Sequence, residues 1–190
     1  MLHQADTAML NNKDVRRVFA ELKQAGLIRA MGASTYSVEE TTLAIETGWE
    51  VIQLPFNLMD QRQQQAFALA AAKGVGLVVR SVLLKGLLSS RGKGLHPALK
   101  NVEEHVSKYK VLIDEPAQDL PTVATKFALS FREVSSVLVG IDRMEYLHKS
   151  LQCADGVYFD EAKLEQAQSL SYPDPAFLDL PKWDRMGWLK

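Results

Sequence analysis

Three helical stretches of this chain end in a glycine and pass at once into an apolar run, and this repeat restricts the fold more than any other feature. Asn11 to Ala25 (NNKDVRRVFAELKQA) sets Val15, Val18, Phe19 and Leu22 at helical spacing among charged residues; Gly26 is the stop and LIRAMGAS the strand that follows. SVEETTLAIET opens on Ser37 with Glu40 three residues on, the capping-box pattern, and stops at Gly48 before the strand EVIQLPF. DQRQQQAFALAAAK stops at Gly74 before the strand GLVVRS. The stopping glycines stand 22 and 26 residues apart, the length of one helix, a turn and one strand, so they mark successive αβ units.

From Leu83 to about Pro97 no periodicity holds. Helices are predicted over Ala98–Leu112, over Pro121–Phe131 with Pro121 in the favoured first turn, from Arg143 onward, and over Glu161–Leu170; SSVLVG is a fourth strand. With its three prolines, SYPDPAFLDLPKW reads as extended surface chain, making 171–190 a Pro-rich tail on a single domain of 1–190. Almost wholly apolar strands alternating with helices imply a parallel sheet covered on its outer face. A barrel and an open doubly wound sheet both satisfy that pattern.

Composition narrows the function classes. A hydrophobic content of 47% suits a globular chain, and 22 basic against 23 acidic residues give a net charge of -1, with no field to recruit nucleic acid. The longest apolar stretch, VGLVVRSVLLKGLL, is interrupted by Arg80 and Lys85 and is too short to span a bilayer. One cysteine, Cys153, and no signal-peptide pattern point to a reducing cytoplasm.

Polar residues collect where the strands end: Ser34 and Thr35, Gln53, Arg80 and Ser81, and Gly140. In barrels and open α/β sheets alike, that carboxyl edge is where ligands bind. Any one of these residues is equally well explained as a turn marker or a satisfied backbone partner, and it is their agreement on four strands that favours a ligand site. His96, His105 and His148 have no ligand spacing and read as solvated surface, so no metal site is expected. Cys153 lacks an activating neighbour and reads as an inert thiol. LLKGLLSSRGKG offers Lys85, Arg91 and Lys93 among glycines, a weak phosphate signal without the spacing of a Walker motif.

Four segments in order resemble the second half of the aldo-keto reductases. ELKQAGLIRAMGAS is similar to that family's helix and fifth strand, and VIQLPFNLMDQR to its sixth, with Gln53, Asn57, Leu58 and Asp60 in place. RSVLLKGLL resembles the seventh-strand segment and SSVLVGIDRMEYLHKSL the eighth strand with its helix. The resemblance covers roughly His3 to Leu151 and implies a partial TIM (β/α)8 barrel whose N-terminal half is missing. It further implies an oxidoreductase that reduces aldehydes or ketones to alcohols with NADPH or NADH.

In this family a tetrad of Asp, Tyr, Lys and His surrounds the carbonyl, and the segment LHQAD makes His3 the histidine, with the other three upstream of Met1. The chain alone is therefore expected to be catalytically incomplete. The alternative is a non-catalytic half barrel that binds nucleotide or a partner, with self-association through its open edges. The resemblance assigns Ser34 and Gln53 to the nicotinamide carboxamide, with Thr35 where the family has Asn. It assigns Arg80 to the place of an aromatic on the nicotinamide ring, and Ser81, Leu83, Lys85 and Arg91 to the pyrophosphate. Beyond Gly140, Arg143 would meet a 2′-phosphate and Asp142 would repel one, so NADP and NAD both stay open; Tyr146, Lys149 and Ser150 replace the family's usual adenosine contacts. Trp49 and Phe56 are either pocket-lining or packing residues.

Overall fold

In the computed structural model, which describes residues 1–114 and 118–189, the helix, glycine and strand repeat is present at all three expected places. Gly26, Gly48 and Gly74 all take left-handed backbone conformations, with φ of +72°, +88° and +66°. After each glycine the chain returns an N–H to a helix carbonyl five residues back: Leu27 to Leu22 at 3.0 Å, Trp49 to Ala44 at 3.1 Å and Val75 to Ala70 at 2.9 Å. This Schellman closure needs a residue that tolerates positive φ, which is why glycine recurs there.

The chain forms two compact units. The first comprises Met1–Phe56, Arg62–Arg80 and Arg132–Leu138. Its elements are α1 (Thr7–Asn11), α2 (Lys13–Gln24), β1 (Gly32–Ser34), α3 (Val38–Glu46), β2 (Val51–Pro55), α4 (Phe67–Ala72), β3 (Gly76–Arg80) and β4 (Val134–Val137). All four strands are parallel, in the order β1-β2-β3-β4. Leu2 adds an isolated parallel bridge to Ala33 on the outer side of β1.

Burial separates the two faces of this sheet. Ala33, Ile52, Leu54, Leu77 and Val79 are fully buried and share their unit with the buried Ala44, Ile45, Trp49, Phe67 and Ala70. The alternate residues Val51, Gln53 and Pro55 of β2, and Gly76, Val78 and Arg80 of β3, are only half-buried. Alternation of side chains along β2 and β3 thus gives one apolar core face and one more open face, while all three residues of β1 are buried.

Several boundaries differ from the expected ones. The helix predicted from Asn11 starts at Lys13, because the Asn12 side chain accepts from the Asp14 and Val15 N–H groups and caps it. Of LIRAMGAS only three residues are strand, because the ladder with β2 begins at Gly32↔Val51. DQRQQQAF begins as a 3-10 turn over Arg62–Ala66 before α4.

The second unit comprises Asn57–Gln61, Ser81–Phe131 and Val139–Lys190. It contains α5 (Lys100–Lys108), α6 (Leu120–Leu129), α7 (Met144–Gln152), α8 (Glu161–Ser169) and α9 (Leu180–Arg185). Its centre is Tyr109, fully buried, whose hydroxyl lies 2.9 Å from both the Leu58 and Leu170 carbonyl oxygens. Burial drives the Tyr109 phenol far above its ordinary pKa, so it stays protonated and its O–H donates to these carbonyls.

Two readings are corrected in this unit. His105 is not solvated surface: it is buried, its Nε2 lies 2.8 Å from the Leu170 carbonyl, and burial lowers its pKa. Nor is the tail simply extended, since Asp179 caps α9 and buries Trp183 against Phe177 at a ring separation of 5.4 Å. Cys153 is buried, with its thiol pushed up by desolvation and donating to the Lys149 carbonyl. Among the described residues no helix is long and apolar enough to cross a membrane, and no cluster of metal-ligating side chains occurs.

Candidate functional site

In the first unit, sheet register gathers Ser34, Gln53 and Arg80 at one edge. Ser34 pairs with Gln53, and Gln53 with Val78, so the buried Ser34 and the half-buried Gln53 stand side by side. The Ser34 hydroxyl donates to Gln53 Oε1 at 3.3 Å. Leu2 bridges Ala33 and accepts the Ser34 N–H at 2.8 Å, so His3, one residue on and exposed, stands beside Ser34. Thr35 is fully buried, and its hydroxyl shares a hydrogen bond of 2.7 Å with Thr41 on α3. That side chain is committed to packing the helix.

Arg80 ends β3 in register with Pro55. Its Nη2 donates to the Thr35 carbonyl at 3.2 Å, and its guanidinium lies 4.3 Å from the centre of the Tyr36 ring. Since β2 separates β3 from β1, the side chain crosses the carboxyl end of β2 on the Gln53 face. Partial burial lowers the Arg80 pKa, against which Tyr36 acts in the opposite sense; a guanidinium stays charged throughout the range in which proteins are folded.

In the second unit the expected residues are held differently. Ser81 has φ of +61°, and its carbonyl accepts from the buried Asn57 amide at 3.3 Å, while Asn57 Oδ1 accepts from the Met59 and Asp60 N–H groups. Leu84 and Lys85 continue in left-handed conformation. The segment then spends its amides on itself: Gly86 and Leu88 donate to the Leu83 carbonyl, Leu87 to Leu84, Gly92 to Ser89, and the Arg91 N–H to the Ser89 hydroxyl. Lys85 and Arg91 remain as exposed cations, with Arg91 3.6 Å from Asp142.

Gly140 is exposed, its φ is unexceptional and nothing crowds a Cβ there, so a glycine is not required at this position. Arg143 is exposed at the start of α7, 6.0 Å from the Tyr146 ring centre. Lys149 pairs with Asp119 and Glu145, each at 3.4 Å. Trp49 and Phe56 are packing residues rather than pocket walls, with Trp49 edge-on to Phe19 at 5.1 Å and Phe56 to Phe67 at 5.0 Å.

The strand ends of the first unit thus bring the Ser34 hydroxyl and the Gln53 carboxamide together, with the Arg80 guanidinium reaching across the same edge. The family model described as "Aldo/keto reductase family" matches residues 2–171. The chain belongs to the aldo/keto reductase family. It is 26% identical over 176 residues to "Uncharacterized oxidoreductase YqkF" of Bacillus subtilis (strain 168), covering 86% of this chain and 57% of that protein. Among solved structures it resembles aldo-keto reductase AKR11C1 from Bacillus halodurans (holo form), with a TM-score of 0.74 at 22% identity over 90% of this chain and 57% of the other. It also resembles the glycerol dehydrogenase AKR11B4 from Gluconobacter oxydans, with a TM-score of 0.69 at 17% identity over 88% of this chain and 56% of the other. The likeness to these two structures is one of fold, and the chain spans little more than half the length of these relatives.

Within this aldo/keto reductase fold, reasoning from the sequence missed Tyr36. The residue is exposed, and nothing local pairs it with Arg80. A signal existed in the unusual cation at a strand end that a planar ring could stabilise.

Proposed function

We propose that this chain carries the nicotinamide-facing part of an NAD(P)H-dependent reductase of aldehydes or ketones. On this reading it corresponds to the second half of the family's barrel, and the Asp, Tyr and Lys partners are supplied by another segment. The observation that carries the reading is the Ser34–Gln53 pair. Its internal bond uses the serine proton and the carboxamide oxygen, leaving the Gln53 Nε2 group without a partner among the described residues. A donor next to a hydroxyl oxygen suits a planar carboxamide, so these residues fit the group they are asked to hold.

A reduced nicotinamide, when bound, supplies hydride to the carbonyl carbon. Ser34 and Gln53 hold the carboxamide and so fix which face of the ring is presented, and His3, beside Ser34, orients the carbonyl oxygen. In the second unit, taken by itself, the exposed Lys85, Arg91 and Arg143 are cations of the kind that attract phosphate, with Ser81 and Leu83 shaping the turn that carries the first two. Asp142 beside Arg91 favours a ribose hydroxyl over a 2′-phosphate, so we propose that NADH is accepted as well as NADPH.

Carbonyl-dependent oxidation of NADPH or NADH tests this directly. The chain alone is expected to turn over negligibly. A first-half segment carrying the Asp, Tyr and Lys should restore turnover, and His3→Ala should then reduce it. Robust reduction by the chain alone, insensitive to His3→Ala, would contradict the proposal.

One observation supports association as well. On β4, Ser135 and Ser136 are exposed at the margin of the sheet, as is Leu138 just after it, whereas β2 and β3 are paired on both sides. An unpaired parallel edge accepts a further strand, and sedimentation should show self-association that the first-half segment competes away.

A further inference from the structure

We propose that Arg80 makes the site discriminate between the two redox forms of the cofactor, holding the reduced nicotinamide more tightly than the oxidised one. The inference rests on the carboxamide-holding role of Ser34 and Gln53 given above. It goes beyond that role because it concerns a charge rather than a contact.

Arg80 belongs to β3, yet its Nη2 reaches the carbonyl of Thr35, the residue next to Ser34, at 3.2 Å. To do so it passes over β2, where Pro55 is its register partner and Gln53 lies two residues earlier on the same face. The guanidinium therefore lies across the edge at which Ser34 and Gln53 would hold the ring amide. The bond to Thr35 and the Tyr36 ring 4.3 Å away are among the contacts that hold it there. Tyr36 is in turn held by its own N–H, which donates to the Glu40 carboxylate at 2.8 Å as α3 begins.

The oxidised nicotinamide ring carries a formal positive charge and the dihydronicotinamide ring is neutral, while the rest of the cofactor is common to both. A fixed cation near the ring therefore acts on the difference between the two forms. Like charges in a half-buried setting repel strongly enough to change an equilibrium by about fivefold. Every charge at the site acts on this same difference, so the share that belongs to Arg80 is read from the change in the oxidised-to-reduced ratio when Arg80 alone is altered. The direction is that of a reductase: reduced cofactor retained, oxidised product released.

The test uses the full chain and the cofactors themselves. Binding of NADPH, NADH, NADP+ and NAD+ is measured by quenching of tryptophan fluorescence for the native chain, for Arg80→Gln, which keeps an N–H donor for Thr35 but loses the charge, and for Arg80→Lys, which keeps the charge. The native chain should bind the reduced forms more tightly. The oxidised-to-reduced Kd ratio should fall about fivefold in Arg80→Gln and be retained in Arg80→Lys. An unchanged ratio in a folded Arg80→Gln, or equal weakening of both forms, would overturn the inference while leaving the cofactor site intact. No binding of either form by the native chain would overturn the cofactor reading and this inference with it.

Discussion

The strand ends of the sheet and the segment from Ser81 to Gly92 hold their polar groups by opposite means. In the sheet, register places His3, Ser34 and Gln53 in one row, and the Gln53 carboxamide nitrogen has no hydrogen-bond partner among the described residues. In the segment, positive φ at Ser81, Leu84, Lys85 and Gly86 folds the chain back on itself, and its amides close its own turns. What the sheet offers is a directed donor, whereas the segment offers exposed charge. A directed donor discriminates between ligands; exposed charge mainly attracts them and is weakened by salt.

This difference can be broken first at Gly92. A Cβ there would lie 2.1 Å from the Leu87 carbonyl oxygen, so the turn cannot survive the addition. Gly92→Ala should cost about 3 kcal/mol or more, read as a fall in the denaturation midpoint, with a loss of helical circular dichroism if folding fails outright. Next in size is Tyr109→Phe, which leaves the Leu58 carbonyl without its hydroxyl donor and the Leu170 carbonyl with His105 alone; about 2 kcal/mol is expected from urea unfolding. In the sheet unit the corresponding glycine change is milder. Nothing lies within 4 Å of a Cβ on Gly48, so Gly48→Ala pays only for its left-handed φ, about 1 kcal/mol in the same assay.

The smallest expected effect depends on pH. Glu50 is held below its ordinary pKa of 4.5 by the Lys23 ammonium and by the Met31 N–H that donates to it. Because the folded value is the lower one, the stabilisation is fully present above 4.5 and disappears as pH falls through the folded value. Melting of the native chain and Glu50→Gln should therefore differ slightly at neutral pH, by less than about 1 kcal/mol for so exposed a pair, and converge in acid.

Much of this was legible in the sequence. The stopping glycines and helical periods announced the αβ repeat, because both signals are local. The strand-end residues were legible for a related reason, since a strand's carboxyl edge follows from the strand's own direction. What escaped is set by partners far along the chain. His105 is buried by a carbonyl 65 residues away, and Arg80 is fixed by one 45 residues away. β1 is short because only its ladder with β2 defines it. For α9 the signal was present, in Asp179 as a cap and Pro181 in the first turn, but three prolines argued more loudly for extended chain.

The most direct measurement compares NADPH affinity in the native chain, Gln53→Leu and Arg91→Ala at a salt concentration that screens exposed charge. The account predicts about a tenfold loss for Gln53→Leu and little change for Arg91→Ala. Equal affinity in the native chain and Gln53→Leu, with the loss confined to Arg91→Ala, would contradict it.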